Sequence, residues 1–343
     1  MSARLPVPPH VSKTRRGEAV TVLEAVSEAL WEEMERDENV FLLGEDIGVY
    51  GGAFKATQGF QERFGELRVM DMPISEAGFT GAAAGAAHMG MRPVVEMQFM
   101  DFIGPAVDVI TNYLATSLYR GSGPLPVVIR GPSGGGNRGG PFHSQNVEML
   151  FFHTPGLKLV YPSNPRDAKG LLKAAIRDDN PVIVQEHKGL YRAPALREVL
   201  PREDFTVPLG KARTVREGTD LTLVTYGKMV HQALEAARTL SGREGVEVEL
   251  LDLRTLLPLD EEAIVASVRK TGKLLVVHED TRTGGIAGEI AMRVNERAFE
   301  WLDGPILRVT AADTPVPYSG TLEDYVLPQV PDIVTAARYL AKY

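Results

Sequence analysis

Leu23, Val26, Leu30 and Met34 recur at steps of three and four, which lays one apolar face along a helix opening near Thr21. Thr21 and Glu24 have the spacing of a capping box. Residues 40–43 form a short apolar run stopped by Gly44 and read as a strand, followed by an irregular loop marked by Gly51, Gly52 and Gly59. Further strands are predicted over 94–97, 127–130, 157–161 and 182–185. Asn164 before Pro165 is an N-cap with proline at the first helical position, and that helix runs through Leu171, Leu172 and Ile176.

Residues 187–210 carry scattered prolines and charges without a steady period and read as a connection. Beyond them strands over 221–226, 246–251, 274–278 and 306–309 alternate with helices over 231–240, 260–270, 287–299 and 331–340. Such alternation predicts βαβ units and mainly parallel sheets covered on both faces. The expected fold class is α/β with two doubly wound domains. The expected division is a flexible arm over 1–17, a first domain over 18–193, a linker over 194–212 and a second domain over 213–343. The arm holds three prolines and five basic residues counting His10, and lacks the apolar core of a secretory signal. Its prolines also break the amphipathic helix that a transit peptide needs.

Composition narrows the function. The 343 residues carry 37 Lys and Arg against 45 Asp and Glu, a net charge of −8. An acidic chain without a basic run is not built to bind nucleic acid. No apolar stretch approaches the ~18 residues of a membrane span. There is no cysteine, so disulfides, thiolate metal sites and cysteine nucleophiles are excluded. The compartment expected is the cytoplasm of a bacterium rather than a mitochondrial matrix.

Three segments carry candidate chemistry. In RGPSGGGNRGGPFHSQ, Arg130–Gln145, the residues Gly134, Gly136 and Gly139 fit G-x-G-x-x-G. Pro141 follows at once and no carboxylate stands near Leu159, so a dinucleotide fingerprint is not met. The loop instead suits close approach of backbone to a ligand or another subunit, and it ends in the polar trio His143, Ser144 and Gln145. In MPISEAGFTGAAAGAAHMG, small residues dominate 78–87, so this helix lets a neighbour or a cofactor come close. Glu76 at its start either complements the helix dipole or shares a proton with a heterocyclic nitrogen of a flat ligand. In EMQFMDF, Phe99 and Phe102 follow a strand, where open α/β sheets bind ligands. H-E-x-x-H, Walker and G-x-S-x-G motifs are absent from the sequence.

These segments occur in order with LLGEDIG, HTPGLKLVYPSNPRDAKGLLKAAIRDDNPVI, LLDLRTLLPLD and VHEDTRTGG. Together, from about Ala19 to Tyr343, the chain resembles the beta subunit of a 2-oxo acid dehydrogenase decarboxylase component, of the pyruvate or branched-chain type. The resemblance implies an N-terminal domain that binds the pyrimidine of thiamin diphosphate and a transketolase-like C-terminal domain. It implies an alpha subunit that holds the diphosphate and Mg²⁺ through a Gly-Asp-Gly motif, which this chain lacks. The assembly implied is an α₂β₂ heterotetramer with its sites between chains. The complex would decarboxylate a 2-oxo acid and acylate a lipoyl domain of a dihydrolipoyl acyltransferase core.

Residue by residue, Glu76 matches the glutamate that bonds the pyrimidine nitrogen, and Phe102 the aromatic packed on that ring. Gln98 and the backbone of Ile74 match positions lining it. His143 matches a histidine near the substrate carboxylate and the incoming lipoyl group. Asp178 and Asn180, with the backbone of Ala175, resemble a potassium site. The C-terminus at Tyr343 matches the end that docks the acyltransferase. Two other readings are a transketolase-type fragment moving a two-carbon unit, and a non-catalytic scaffold dimerising through its small-residue helix.

Overall fold

The computed structural model describes residues 17–343, so the expected N-terminal arm lies, but for Gly17, outside the described residues. Strand β1 (Ala19–Val20) forms a two-residue antiparallel ladder with β8 (Glu198–Val199), which ties the start of the first half to the connection. Helix α1 (Val22–Arg36) opens with a complete capping box, Thr21 and Glu24 each accepting from the other's backbone N–H.

A seven-stranded sheet holds β2 (Val40–Gly44), β3 (Val69–Asp71), β4 (Arg92–Glu96), β5 (Val128–Ser133), β6 (Lys158–Val160), β7 (Val182–His187) and β12 (Thr255–Leu257). Its order is β12-β6-β7-β5-β4-β2-β3, parallel except for the antiparallel β12. The second sheet runs β14-β13-β10-β11-β9, with β9 (Arg213–Arg216), β10 (Leu221–Thr225), β11 (Val248–Asp252), β13 (Leu274–Thr281) and β14 (Leu307–Ala311), and only β9 antiparallel. Strands β2, β5, β7, β10 and β11 are buried at every position. Burial on both faces is why β2 reads as a continuous apolar run and why β5 and β7 begin as one, rather than alternating.

The expected helices and strands form, with ends moved by up to four residues. Among the unforeseen elements are β3, β9, β12 and the helix Gly320–Val326. Each of these strands is a short edge or near-edge piece with no apolar run of its own. β12 matters most, because the second half of the chain supplies an edge strand to the first sheet. The main core likewise crosses between halves, joining Phe41, Val95 and Phe151 to Leu253, Val276 and Ile290.

Helix α1 packs on α3 (Pro165–Arg177) through a ladder of charges. Lys169 reaches Glu28 (2.9 Å) and Glu32 (2.7 Å), Lys173 reaches Glu32 (2.6 Å), and Arg177 reaches Glu33 (2.6 Å). Residues 169, 173 and 177 are four apart, so they share one helix face. Asn164 caps α3 by accepting from the Asp167 N–H, with Pro165 in the first turn, as the sequence implied.

Candidate active site

The carboxyl ends of β2, β3, β4, β5 and β7 all open on one edge of the first sheet. The loops that follow them carry Glu45, Glu76, Gln98 with Phe102, His143 and Lys188 in turn. This is where parallel α/β sheets place ligands.

Glu76 is the first residue of helix α2 (Glu76–His88), and Ser75 before it makes no side-chain cap. Phe79, Thr80, Ala83, Ala84 and Ala87 turn into the core. On the other side Gly81 and Gly85 have only open space where a Cβ would stand. Ile74, in the turn before Glu76, is 85% exposed. The helix therefore presents a bare backbone beside a half-buried carboxylate, with an apolar side chain standing out from the surface.

Glu45 joins this carboxylate. It is buried at the end of β2, and its Oε1 has no hydrogen-bond partner. Burial, and then the charges of Glu76 and Asp46, push its carboxyl above the usual range. The motif LLGEDIG by itself gives Glu45 no role; the one signal for it in the sequence is a carboxylate directly after a buried parallel strand. Asp46 accepts from Gln98 at 3.4 Å, which links this acidic group to the β4 end.

There Phe99 and Phe102 meet His143. The imidazole lies edge-on to both rings, with centroids 4.7 and 5.5 Å away. Asp101 places the histidine's loop, its Oδ1 accepting from the N–H groups of Ser144 and Gln145 at 2.9 Å each. The structure thus brings Gln98, Phe102 and His143 into one neighbourhood, with Glu76 reached through Glu45 and Asp46. Asp178, Asn180 and Ala175 lie elsewhere, at the end of α3. The Asp178 carboxylate there is held by the Lys158 ammonium and by the Asn180 N–H (2.9 Å), while the Ala175 carbonyl accepts from the Asp178 N–H.

The glycine-rich loop is anchored by the second half of the chain. Gly135 N–H donates to Glu279 (2.6 Å), Gly136 N–H to Glu323 (2.7 Å) and Arg138 N–H to Glu323 (3.0 Å). These N–H groups are committed to carboxylates, which fits the failed dinucleotide pattern. Gly134 has φ +81°, and a Cβ there would stand 2.3 Å from His187 Nε2. His187 Nδ1 accepts from the Gly189 N–H, so its proton sits on Nε2 and is donated to Glu279 at 3.0 Å. Beneath the site, buried Arg130 donates to both Glu186 oxygens (2.6 Å each) and to Glu96, and Tyr191 donates to Glu186. Neither this network nor the anchoring carboxylates showed in the sequence, because their members are far apart along it.

Two mainly parallel sheets, the first with a ligand edge at the carboxyl ends of its strands, define a two-domain α/β protein. The family model for the transketolase pyrimidine binding domain matches residues 18–194, and that for the transketolase C-terminal domain matches 210–333. The chain is 48% identical to the 2-oxoisovalerate dehydrogenase subunit beta of Bacillus subtilis over 94% of its own length and 99% of that protein's. It is 45% identical to the pyruvate dehydrogenase E1 component subunit beta of the same organism, with the same coverage. A solved structure described as a split gene transketolase, inactive beta4 tetramer, superposes with a TM-score of 0.76 at 26% identity, over 94% of this chain and 98% of that one. The chain belongs to the family of 2-oxo acid dehydrogenase beta subunits. Among the described residues, no helix is long and apolar enough to cross a membrane.

Proposed function

We propose that this chain and an alpha subunit together decarboxylate a 2-oxo acid and pass the acyl group to a lipoyl domain. The observation that carries the reading is Glu76 at the head of a bare helix face, at the same sheet edge as Phe102 and His143. Thiamin diphosphate is the cofactor these residues suit, and when bound it supplies the electron sink that decarboxylation requires. The unpartnered Glu45 oxygen and the open face of α2 support room for a polar-edged ring.

In this reading Glu76 accepts a proton from, or donates one to, the ring nitrogen of the pyrimidine. Phe102 and Gln98 line the ring, with the backbone of Ile74. His143 offers an N–H to the substrate carboxylate or the incoming acyl acceptor. The diphosphate and Mg²⁺ belong to the alpha subunit, and exposed Ile74 and the outer face of α2 are the surfaces on which the second chain would close the site. No potassium ion is assigned at Asp178 and Asn180, since Lys158 already supplies the positive charge there.

Copurification with the alpha subunit, followed by a substrate panel read through reduction of a dye acceptor, tests the proposal. Turnover of pyruvate or 2-oxoisovalerate, with acylation of a lipoyl domain, is expected. Turnover of a ketose phosphate alone would instead favour the transketolase-type reading, which the likeness to the split-gene transketolase keeps in view. Failure to bind an alpha chain or thiamin diphosphate would leave the scaffold reading.

A further inference from the structure

Beside His143 lies a cleft of about 620 Å³ whose side-chain lining includes Phe54, Phe99, Asn137, His143, Lys188 and Arg192. Its charge runs against that of the molecule. The chain carries −8, yet none of the residues lining this cleft is Asp or Glu, and two, Lys188 and Arg192, are basic. Arg192 stands at the exposed rim and donates to the Phe54 carbonyl at 2.8 Å. Lys188 is buried. Its Nζ donates to the Gly134 carbonyl and lies 6.0 Å from the centre of the Phe99 ring.

Lys188 forms no ion pair among the described residues, although three carboxylates face it. Glu279 is engaged by Gly135 and His187 and Glu323 by Gly136 and Arg138, while Asp101 accepts the Ser144 and Gln145 N–H groups through Oδ1 and leaves its buried Oδ2 without a hydrogen-bond partner, Lys188 included. A buried ammonium without an ion-pair partner is costly, and an anionic ligand relieves the cost. The aromatic walls match an apolar body behind that anion, for Phe54 stands edge-on to Phe99 at 5.5 Å and to Tyr191 at 5.2 Å.

We propose that Lys188 is a further residue that binds the carboxylate of the 2-oxo acid, with Phe54 and Phe99 receiving the substrate's apolar side chain. The inference rests on the reading that the chain serves a 2-oxo acid dehydrogenase, and it adds a substrate-binding residue to it. Burial lowers the amine to about 8, against the opposing pull of Asp101, Glu279 and Glu323 and in concert with Lys228. Neutral His187 adds no charge. Carboxylate binding should therefore weaken as pH rises past about 8.

The test uses the alpha–beta complex with Lys188→Met and Lys188→Arg. In the dye-acceptor assay Lys188→Met should raise the KM for 2-oxoisovalerate ~10- to 100-fold while kcat changes far less, and Lys188→Arg should restore it. The wild-type KM should climb above pH about 8, and that of Lys188→Arg should stay flat. Saturation-transfer NMR on the cofactor-free complex gives a readout apart from activity. The methyl protons of 2-oxoisovalerate should receive saturation with wild type and Lys188→Arg and lose it with Lys188→Met, and the neutral ketone 3-methyl-2-butanone should show no such dependence. An unchanged KM in Lys188→Met overturns the inference while the decarboxylase reading stands. So does a KM raised for the lipoyl domain alone. If Lys188→Met does not assemble, a wild-type KM that is flat with pH and matches Lys188→Arg overturns it equally. A wild-type complex with no 2-oxo acid turnover overturns both.

Discussion

Glu45, Asp46 and Glu76 crowd three carboxylates at the ends of two neighbouring strands, and only Glu45 is buried among them. Repulsion of this kind is tolerated where a ligand takes up the proton or the charge. Glu76→Gln keeps the shape and removes the proton exchange. It should reduce turnover by the alpha–beta complex at least ~100-fold while leaving the melting temperature within a few degrees. Wild-type rates of proton exchange on the cofactor ring in that variant would refute the assigned role. Arg130 poses the opposite problem, one guanidinium between Glu96 and Glu186 in the core. Burial pushes the Glu96 carboxyl up even with the arginine present. Arg130→Met leaves two buried carboxylates facing each other and should cost ~3–5 kcal/mol. A urea midpoint equal to that of wild type would show that the pair does not depend on the arginine.

At the scale of elements, ends and faces decide more than lengths. The capping box of α1 satisfies two backbone donors at once, so Thr21→Ala should cost ~1 kcal/mol. Calorimetry of the isolated chain would detect the drop in melting temperature, and no drop would mean that packing against α3 alone sets this helix. Helix α2 works by what it lacks. Its core side packs with Phe79 and alanines, and its outer side leaves backbone uncovered. A helix with larger residues there would seal the edge where Glu76 stands.

The whole molecule is joined across its two sheets by buried polar contacts. Tyr226 of the second half donates to Glu148 of the first at 2.6 Å, and Glu148 Oε2 has no partner. Burial first, and the Asp280 charge next, push the Glu148 carboxyl up to about 8. The folded state therefore holds a proton that the unfolded chain releases near 4.5. This contribution to stability is full below the unfolded value and is lost as pH rises through about 8. Glu148→Gln has no proton to lose and keeps an acceptor for Tyr226. Its stability should fall less between pH 5 and pH 8 than that of wild type, as urea titrations at both values would show. Equal slopes would place the pH dependence elsewhere.

Periodicity and turn chemistry were enough to write down α1, α3 and the alternating strands, since a helix face or a doubly buried strand is encoded within a dozen neighbouring residues. The ordered motifs also placed Glu76, Phe102 and His143 in one family pattern. Hydrogen bonding over distances of 100 residues and more lay beyond that reach. The anchoring of the 134–138 loop by Glu279 and Glu323, the loan of β12 to the first sheet and the solitary burial of Lys188 depend on which distant segments meet. Local propensity is a property of adjacent residues, whereas burial, and the charge state that follows from it, belongs only to the packed chain.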